Sequence, residues 1–230
     1  MKYGQFCPIA KATEVLGDKW TLLIIREILN GGTRFSDLQR GLGSISSAVL
    51  TERLKTLTAQ GIIARRRASG KRNYEYYPMS ACKELEPIVL SLGDWGMRWA
   101  KDNLVDEDYD VELLMLYLER SIACDMLPGP ETILSFTFND LRDLKTWWLI
   151  ANDDGVDVCV KDPGRDVDVY FNSTVKVMTD VWLGYRPYKE ALNSGDLEMI
   201  GDSSLTRSVS KWLRCTAFPA SYKKTKMAFG

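Results

Sequence analysis

The sequence predicts an α+β protein in two parts. A helical N-terminal part closes with a short basic hairpin, and in a C-terminal part helices cover an antiparallel sheet. Three observations predict this. Helical spacing of apolar residues dominates the first 102 positions, whereas two-residue alternation recurs between Leu134 and Phe171. An acidic segment, Asp106 to Asp110, separates the two regimes. The charge also changes sign. Residues 1–102 hold 16 Lys/Arg and 10 Asp/Glu, a net +6, and residues 103–230 hold 14 and 21, a net −7, leaving −1 overall. The parts are placed at 1–102 and 111–216, with 103–110 as linker and 217–230 as a tail.

Composition excludes several kinds of chemistry. The 230 residues are 45% hydrophobic and 27% charged, ordinary for a globular chain. There is no histidine, which removes Ser-His-Asp and Cys-His nucleophilic sites, His-ligated metals and imidazole switches together. Cys7, Cys82, Cys124, Cys159 and Cys215 are odd in number, widely spaced and without a CxxC pair, so neither a disulfide framework nor a zinc site is expected. No catalytic residue, metal or cofactor is expected, and the chain is read as a non-enzyme. No apolar run approaches the roughly 18 residues of a membrane span, and Met1 to Gln5 hold no signal-peptide core. The expectation is a cytoplasmic protein with no membrane partner.

The basic half is read in order. A helix begins at Cys7-Pro8, with Ile9, Ala12, Val15 and Leu16 on one face, and stops at Gly17. Asp18 is the expected cap of a second helix, Lys19 to Asn30, with Trp20, Leu23, Ile24 and Ile28 inward. Gly31-Gly32 ends it. Ser36 to Arg40 is a short third helix after Arg34-Phe35, and Gly41 to Ser44 is a turn. A fourth helix opens at Ile45-Ser46 and runs to Gln60, before Gly61. Leu50, Leu54 and Leu57 share its inner side; Ser47, Ala48, Thr51, Glu52 and Lys55 share the other. Small and hydroxyl-bearing side chains near a helix N-terminus permit close approach to base edges in a major groove. Ser46, Ser47, Thr51 and Lys55 are therefore DNA-binding candidates.

Ile62 to Arg67 reads as a strand that turns basic, Ser69 to Asn73 as a turn, and Tyr74 to Pro78 as the return strand. Three helices followed by a basic hairpin is the order of a winged helix-turn-helix. Lys71 and Arg72 at the hairpin tip would meet phosphates. A helix from Cys82 to Lys101 follows, and Leu85, Ile88, Val89, Leu92, Trp95 and Trp99 make its apolar face too wide for a small core to bury. The same helix of a second subunit is the expected cover, with Leu85, Ile88, Leu92, Trp95 and Trp99 at the dimer contact. The second domain is the alternative cover.

Cys7-Pro8, Leu16 to Thr21, Arg34 to Leu38, Ile45-Ser46, Leu50 to Leu54, Gln60 to Ile63, Glu75-Tyr76, Leu85 to Pro87 and Trp95-Gly96 form an ordered set. Through them, residues 5–100 resemble the HxlR family of bacterial winged-helix regulators, relatives of the MarR type. The resemblance implies a homodimer on a near-palindromic double-stranded operator. Ser46, Ser47 and Thr51 fall where such proteins read bases, and Arg34, Arg53, Lys71 and Arg72 where they hold the backbone. Ala48 departs from the polar or basic residue of many relatives, which weakens base readout at that position. Cys7 resembles the sensing cysteine of the redox- and electrophile-responsive members, and a thiol at a helix N-terminus with Lys11 one turn on favours the thiolate. The plainer reading of Cys7 is a small packing residue.

The acidic half opens with a helix from Val111 to Met126, broken by Pro128-Gly129-Pro130. Leu134, Phe136 and Phe138 alternate with Ser135 and Thr137. Trp147 to Ala151 is a buried strand, Asp154-Gly155 a hairpin turn, and Val156 to Val160 and Val167 to Phe171 alternate again. Helices at 175–183 and 188–193, a strand at 197–200 and a helix at 204–214 complete it. Asp166 and Asp168 share a strand face, as solvated pairs commonly do, and are not read as catalytic. Trp147 to Leu149, Asp180 to Gly184, Ala191 to Gly195 and Ile200 to Asp202 resemble the sterol carrier protein type 2 fold over residues 110–215. That fold implies an apolar cavity for a hydrophobic ligand, with Phe136, Phe138, Trp148, Met178 and Trp182 as its lining. The alternative is that these five fill an ordinary core.

The function expected from the sequence is a transcriptional regulator, read first as a repressor, whose DNA affinity responds to a hydrophobic small molecule in the C-terminal domain. Two alternatives stand beside it: a regulator that senses through Cys7, and a lipid carrier whose N-terminal half only dimerises.

Overall fold

The structure is a computed structural model that describes residues 2–67 and 73–213. The chain divides into two compact units, residues 1–95 and 96–230. The first holds helices α1 (Pro8–Leu16), α2 (Thr21–Leu29), α3 (Phe35–Gly41) and α4 (Ser47–Ala59), then strands β1 (Ile63–Arg67) and β2 (Tyr74–Pro78), then α5 (Ser80–Lys83). Helix α6 (Glu86–Trp99) follows, and the division falls inside it.

Most of these elements lie where the apolar spacing puts them. The core of this unit joins Ile24, Ile25 and Ile28 of α2, Leu38 of α3, and Leu50, Leu54 and Leu57 of α4, with Ile63 of β1 and Cys82 of α5. Truncating any one of these leucines to alanine costs about 2–5 kcal/mol. Two boundaries differ from expectation. Helix α2 starts at Thr21, because Trp20 adopts a left-handed φ of 79° as its cap residue, and Asp18 is left outside. The helix expected over 82–101 is two helices, because Pro87 has no N–H to continue the ladder and disfavours helical geometry before it. Proline is tolerated within the first turn of α6.

The second unit contains α7 (Val111–Ser121), β3 (Glu131–Phe138), β4 (Thr146–Asn152), β5 (Gly155–Cys159), β6 (Val169–Ser173), α8 (Val175–Trp182), α9 (Tyr188–Asn193), β7 (Glu198–Gly201) and α10 (Ser203–Trp212). Two 3₁₀ turns, Lys101–Asn103 and Asp106–Asp108, lie at the start of and within the expected linker, and Asp110 caps α7 by accepting the Leu113 N–H. Helix α7 ends at Ser121 rather than Met126, and a 3₁₀ turn at Cys124–Met126 follows it.

The sheet corrects the antiparallel expectation. Its strand order is β5-β4-β3-β6-β7, and β3 pairs with β6 in parallel. The Asp162-Pro163-Gly164 turn does not close a hairpin: residues 160–168 carry the chain from β5 at one edge to the far side of β3, so β6 enters in the direction of β3. Alternation alone reports which face a residue takes, not which strand it pairs with.

One face of the sheet presents Leu134, Phe136 and Phe138 of β3, Trp147, Leu149 and Ala151 of β4, and Val169 and Phe171 of β6. Helices α7, α8, α9 and α10 supply the opposing apolar residues of the same core. Phe136 and Phe171 are paired across the parallel ladder and stack with centroids 4.5 Å apart. Among the described residues no helix is long and apolar enough to cross a membrane.

Candidate functional site

Helix α4 is positioned from both ends. At its start the Ser46 Oγ accepts the Val49 N–H at 3.3 Å. Gln39 of α3 reaches the same corner and donates through Nε2 to Ser47 Oγ at 3.1 Å and to the Ile45 carbonyl at 3.4 Å. At its far end Gly61 takes a φ of 72° and releases the chain toward β1. Leu50, Leu54 and Leu57 bury the inner side and leave Ser46, Ser47, Ala48, Val49, Thr51, Glu52 and Lys55 exposed. The N-terminal part of this surface, Ser46, Ser47, Ala48 and Thr51, carries only short side chains, the shape a groove admits.

The hydroxyls on it are partly committed. Thr51 Oγ1 donates to the Ser47 carbonyl at 2.7 Å, so its methyl group and oxygen lone pairs are what it offers outward. Ser46 also serves as the cap of α4. Arg53, read as a contact to the DNA backbone, has a protein partner. It is half-buried, and its guanidinium hydrogen-bonds the carboxylate of Asp18. Asp18 is free for this partner because α2 starts beyond it. Arg34 keeps most of its side chain exposed, with Nε 3.8 Å from Glu75 Oε1, where residue 34 bridges to Glu75 of β2.

In the hairpin β1 runs antiparallel to β2, with Arg65 opposite Tyr76 and Arg67 opposite Tyr74. The Arg65 guanidinium lies 3.6 Å from the Tyr74 ring centroid and that of Arg66 lies 5.4 Å from the Tyr77 ring. The tip cations Lys71 and Arg72 lie outside the described residues. Reasoning from the sequence passed over Gln39 and the Arg65–Tyr74 stack. The signal for the stack was present, because a basic strand opposite an aromatic strand places cations over rings. Gln39 gave no such signal, because its partners follow a turn.

The α6 face divides. Leu85, just before the helix, and Val89 pack against the core of the first unit, which removes Leu85 from the expected dimer contact. Ile88, Leu92, Trp95 and Trp99 follow one helical face and are 56%, 48%, 53% and 65% exposed. Phe6, just before α1, and Ile9 in its first turn are exposed as well, although Ile9 shares its helix face with Val15 and Leu16. Cys7 is the half-buried cap residue of α1. Lys11, expected to serve its thiolate, instead holds Glu14 at 2.9 Å.

The expected ligand lining also divides. Phe136, Phe138 and Met178 are fully buried in the sheet–helix core, packed rather than lining a space. Trp148 alternates to the other face of the sheet, opposite Ser135 and Cys159. Trp182 alone lines an open cavity of about 240 Å³, together with residues of α7, α8 and the chain before α7. Among the described residues no group of three or more metal-ligating side chains is present.

A helix-turn-helix with an exposed, capped third-core helix and a basic hairpin defines a DNA-binding regulator. Comparison with known proteins makes the class specific. The HxlR-like helix-turn-helix model matches residues 15–104. The HTH-type transcriptional regulator YvaP of Bacillus subtilis (strain 168) is 32% identical over 108 residues, 46% of this chain and 100% of that one. YybR of the same organism, another HTH-type transcriptional regulator, is 33% identical over 91 residues, 39% and 73% of the two chains. The structure of the redox regulator HypR in its reduced form is 30% identical and covers 43% of this chain and 100% of that chain, with a TM-score of 0.39. The chain belongs to the HxlR-like helix-turn-helix family of transcriptional regulators.

Proposed function

We propose that the protein is a cytoplasmic repressor that binds a near-palindromic operator as a homodimer. A hydrophobic small molecule in its C-terminal unit sets its DNA affinity, with no catalytic step. The observation that carries the DNA reading is the exposed N-terminal face of α4, Ser46, Ser47, Thr51 and Lys55, fixed by a serine cap and by Gln39. The uncovered Ile88–Leu92–Trp95–Trp99 face supports the dimer, because a stripe of this kind on a soluble helix marks an interaction surface. Two copies related by a two-fold axis would present two α4 helices to two half-sites.

The cavity beside Trp182 supports the effector, since a concave, mostly apolar site is the usual form of a small-molecule pocket. An effector changes DNA affinity only by binding one of two states better. The test is a gel-shift titration of the protein on its operator with and without a library of hydrophobic compounds. The expected result is a compound that shifts the operator midpoint and saturates. Operator affinity unmoved by any compound shown to bind would remove the switch. A response to peroxide or quinones that Cys7→Ser abolishes would move the sensor to Cys7.

A further inference from the structure

We infer that the cavity beside Trp182 takes a small, flat aromatic cation of one or two rings carrying a positively charged nitrogen. The inference rests on the reading of the C-terminal unit as an effector domain and names the chemistry of its ligand. Leu104, Leu113, Leu114 and Leu183 form the apolar walls, and Tyr109, Tyr117 and Trp182 the aromatic ones. Tyr117 and Trp182 stack with centroids 5.1 Å apart. Trp182 is locked further, because its Nε1 donates to Ser121 Oγ at 2.8 Å, and that hydroxyl donates to the Tyr117 carbonyl at 2.7 Å. The aromatic wall is therefore built before any ligand arrives, which lowers the entropic cost of binding.

The charged side chains on the lining are both carboxylates, Asp108 and Asp110. One oxygen of each is held by backbone: Asp108 Oδ2 accepts the Val105 N–H at 3.0 Å, and Asp110 Oδ1 accepts the Leu113 N–H at 2.7 Å. These bonds hold both carboxylates in place beside the cavity. One lining ring, that of Tyr109, already carries a cation. Lys176 donates to the Tyr109 hydroxyl at 2.6 Å with its ammonium 4.2 Å from that ring centroid, while Asp106 and Asp180 act on its charge. Arg120 stands 6.0 Å from the Tyr117 ring, and neither it nor Lys176 lines the cavity. Aromatic faces and carboxylates both attract a cation and both repel an anion. At about 240 Å³ the space falls just below the usual range of drug-sized pockets, which suits one or two rings and is small for a sterol.

The test is calorimetric titration of the full chain, without DNA, at low salt, with three bicyclic probes of one shape: N-methylquinolinium, neutral 1-methylnaphthalene and anionic 1-naphthoate. The cation should bind roughly fivefold to tenfold tighter than the neutral probe, and the anion weakest. Asp108→Asn with Asp110→Asn keeps an oxygen to cap each N–H and removes both charges. It should erase the preference for the cation and leave the neutral probe unchanged. Leu113→Trp should fill the space and abolish binding of all three. Equal binding of the three probes, a preference that survives the double substitution, or no binding at all would overturn the ligand class. If the cation binds as expected and operator affinity is unmoved, the ligand class stands and the proposed coupling to DNA fails.

Discussion

Arg53 of α4 hydrogen-bonds Asp18, which lies between α1 and α2, and so ties the middle of α4 to the loop before α2. The pair lies at the surface, with 26% of the Arg53 side chain and 42% of that of Asp18 exposed, so solvent screens it. A double-mutant cycle with Arg53→Ala and Asp18→Ala, followed by urea unfolding, should give a coupling of about 0.5–1 kcal/mol. Arg53→Ala should also leave the salt dependence of operator binding nearly unchanged, because a guanidinium held by a carboxylate releases few counterions from DNA. A fall of one full phosphate contact in the salt slope would show that Arg53 leaves Asp18 for the backbone.

Gly41 is the second position where one atom decides the helix-turn-helix geometry. A Cβ placed there would lie 1.9 Å from Oε2 of the fully buried Glu27, and the Gly41 carbonyl accepts Arg26 Nη2 at 2.9 Å. Arg26 also donates to Glu27 Oε1 at 3.0 Å, so three residues lock α2 against the end of α3. Gly41→Ala should destabilise the protein by about 1–3 kcal/mol through overpacking. Placed on a Glu27→Ala background, it should cost at least about 1 kcal/mol less. Thermal or urea unfolding of the two singles and the double checks both numbers, and simple additivity would refute the contact.

Two residues on the outer side of α4 should act differently on DNA. Thr51 holds its hydroxyl on the Ser47 carbonyl and presents a methyl group, whereas Lys55 presents only a charge. Thr51→Ala should change which operator variants are preferred, by about 1–3 kcal/mol at the affected base pair. Lys55→Ala should weaken binding to all sequences alike and lower the salt slope by about one unit. Binding selections and salt titrations on both variants separate the two effects. Indistinguishable results would mean that α4 does not lie in the groove as proposed.

The elements of both units were legible because each buries one regular face. Leu50, Leu54 and Leu57 announce α4, and Leu134, Phe136 and Phe138 announce β3. What stayed hidden depends on pairing at a distance. The parallel entry of β6 beside β3 is set by a crossover whose residues look like an ordinary turn. Asp18 was a plausible cap by type, yet the left-handed Trp20 moved the helix start and freed Asp18 for a residue 35 positions away. The exposed side of α4 was legible because exposure on a helix follows from its period. Of the expected cavity lining only Trp182 was found, because the lining comes mainly from α7, α8 and the turn before α7, while the other large side chains expected there pack elsewhere.

The exposed face of α6 yields the last prediction. Ile88, Leu92, Trp95 and Trp99 are spaced by four, three and four residues along one helix, and each leaves about half or more of its surface in water. A stripe of this size is costly to hydrate, and pairing it with its own copy recovers roughly 25 cal/mol for each Å² of apolar surface buried. Leu92→Asp should therefore lower the sedimentation coefficient from that of a dimer to that of a monomer at micromolar concentration. Each monomer would then meet one half-site alone and lose the avidity of two linked contacts, so operator affinity should fall by at least about a hundredfold. The substitution is on a solvent-facing position of the single chain, so far-UV circular dichroism should change little, while the unfolding midpoint should lose its dependence on protein concentration. A Leu92→Asp protein that remains a dimer with wild-type operator affinity would place the subunit contact elsewhere. The exposed Phe6 and Ile9 of the α1 end would then be the next positions to substitute.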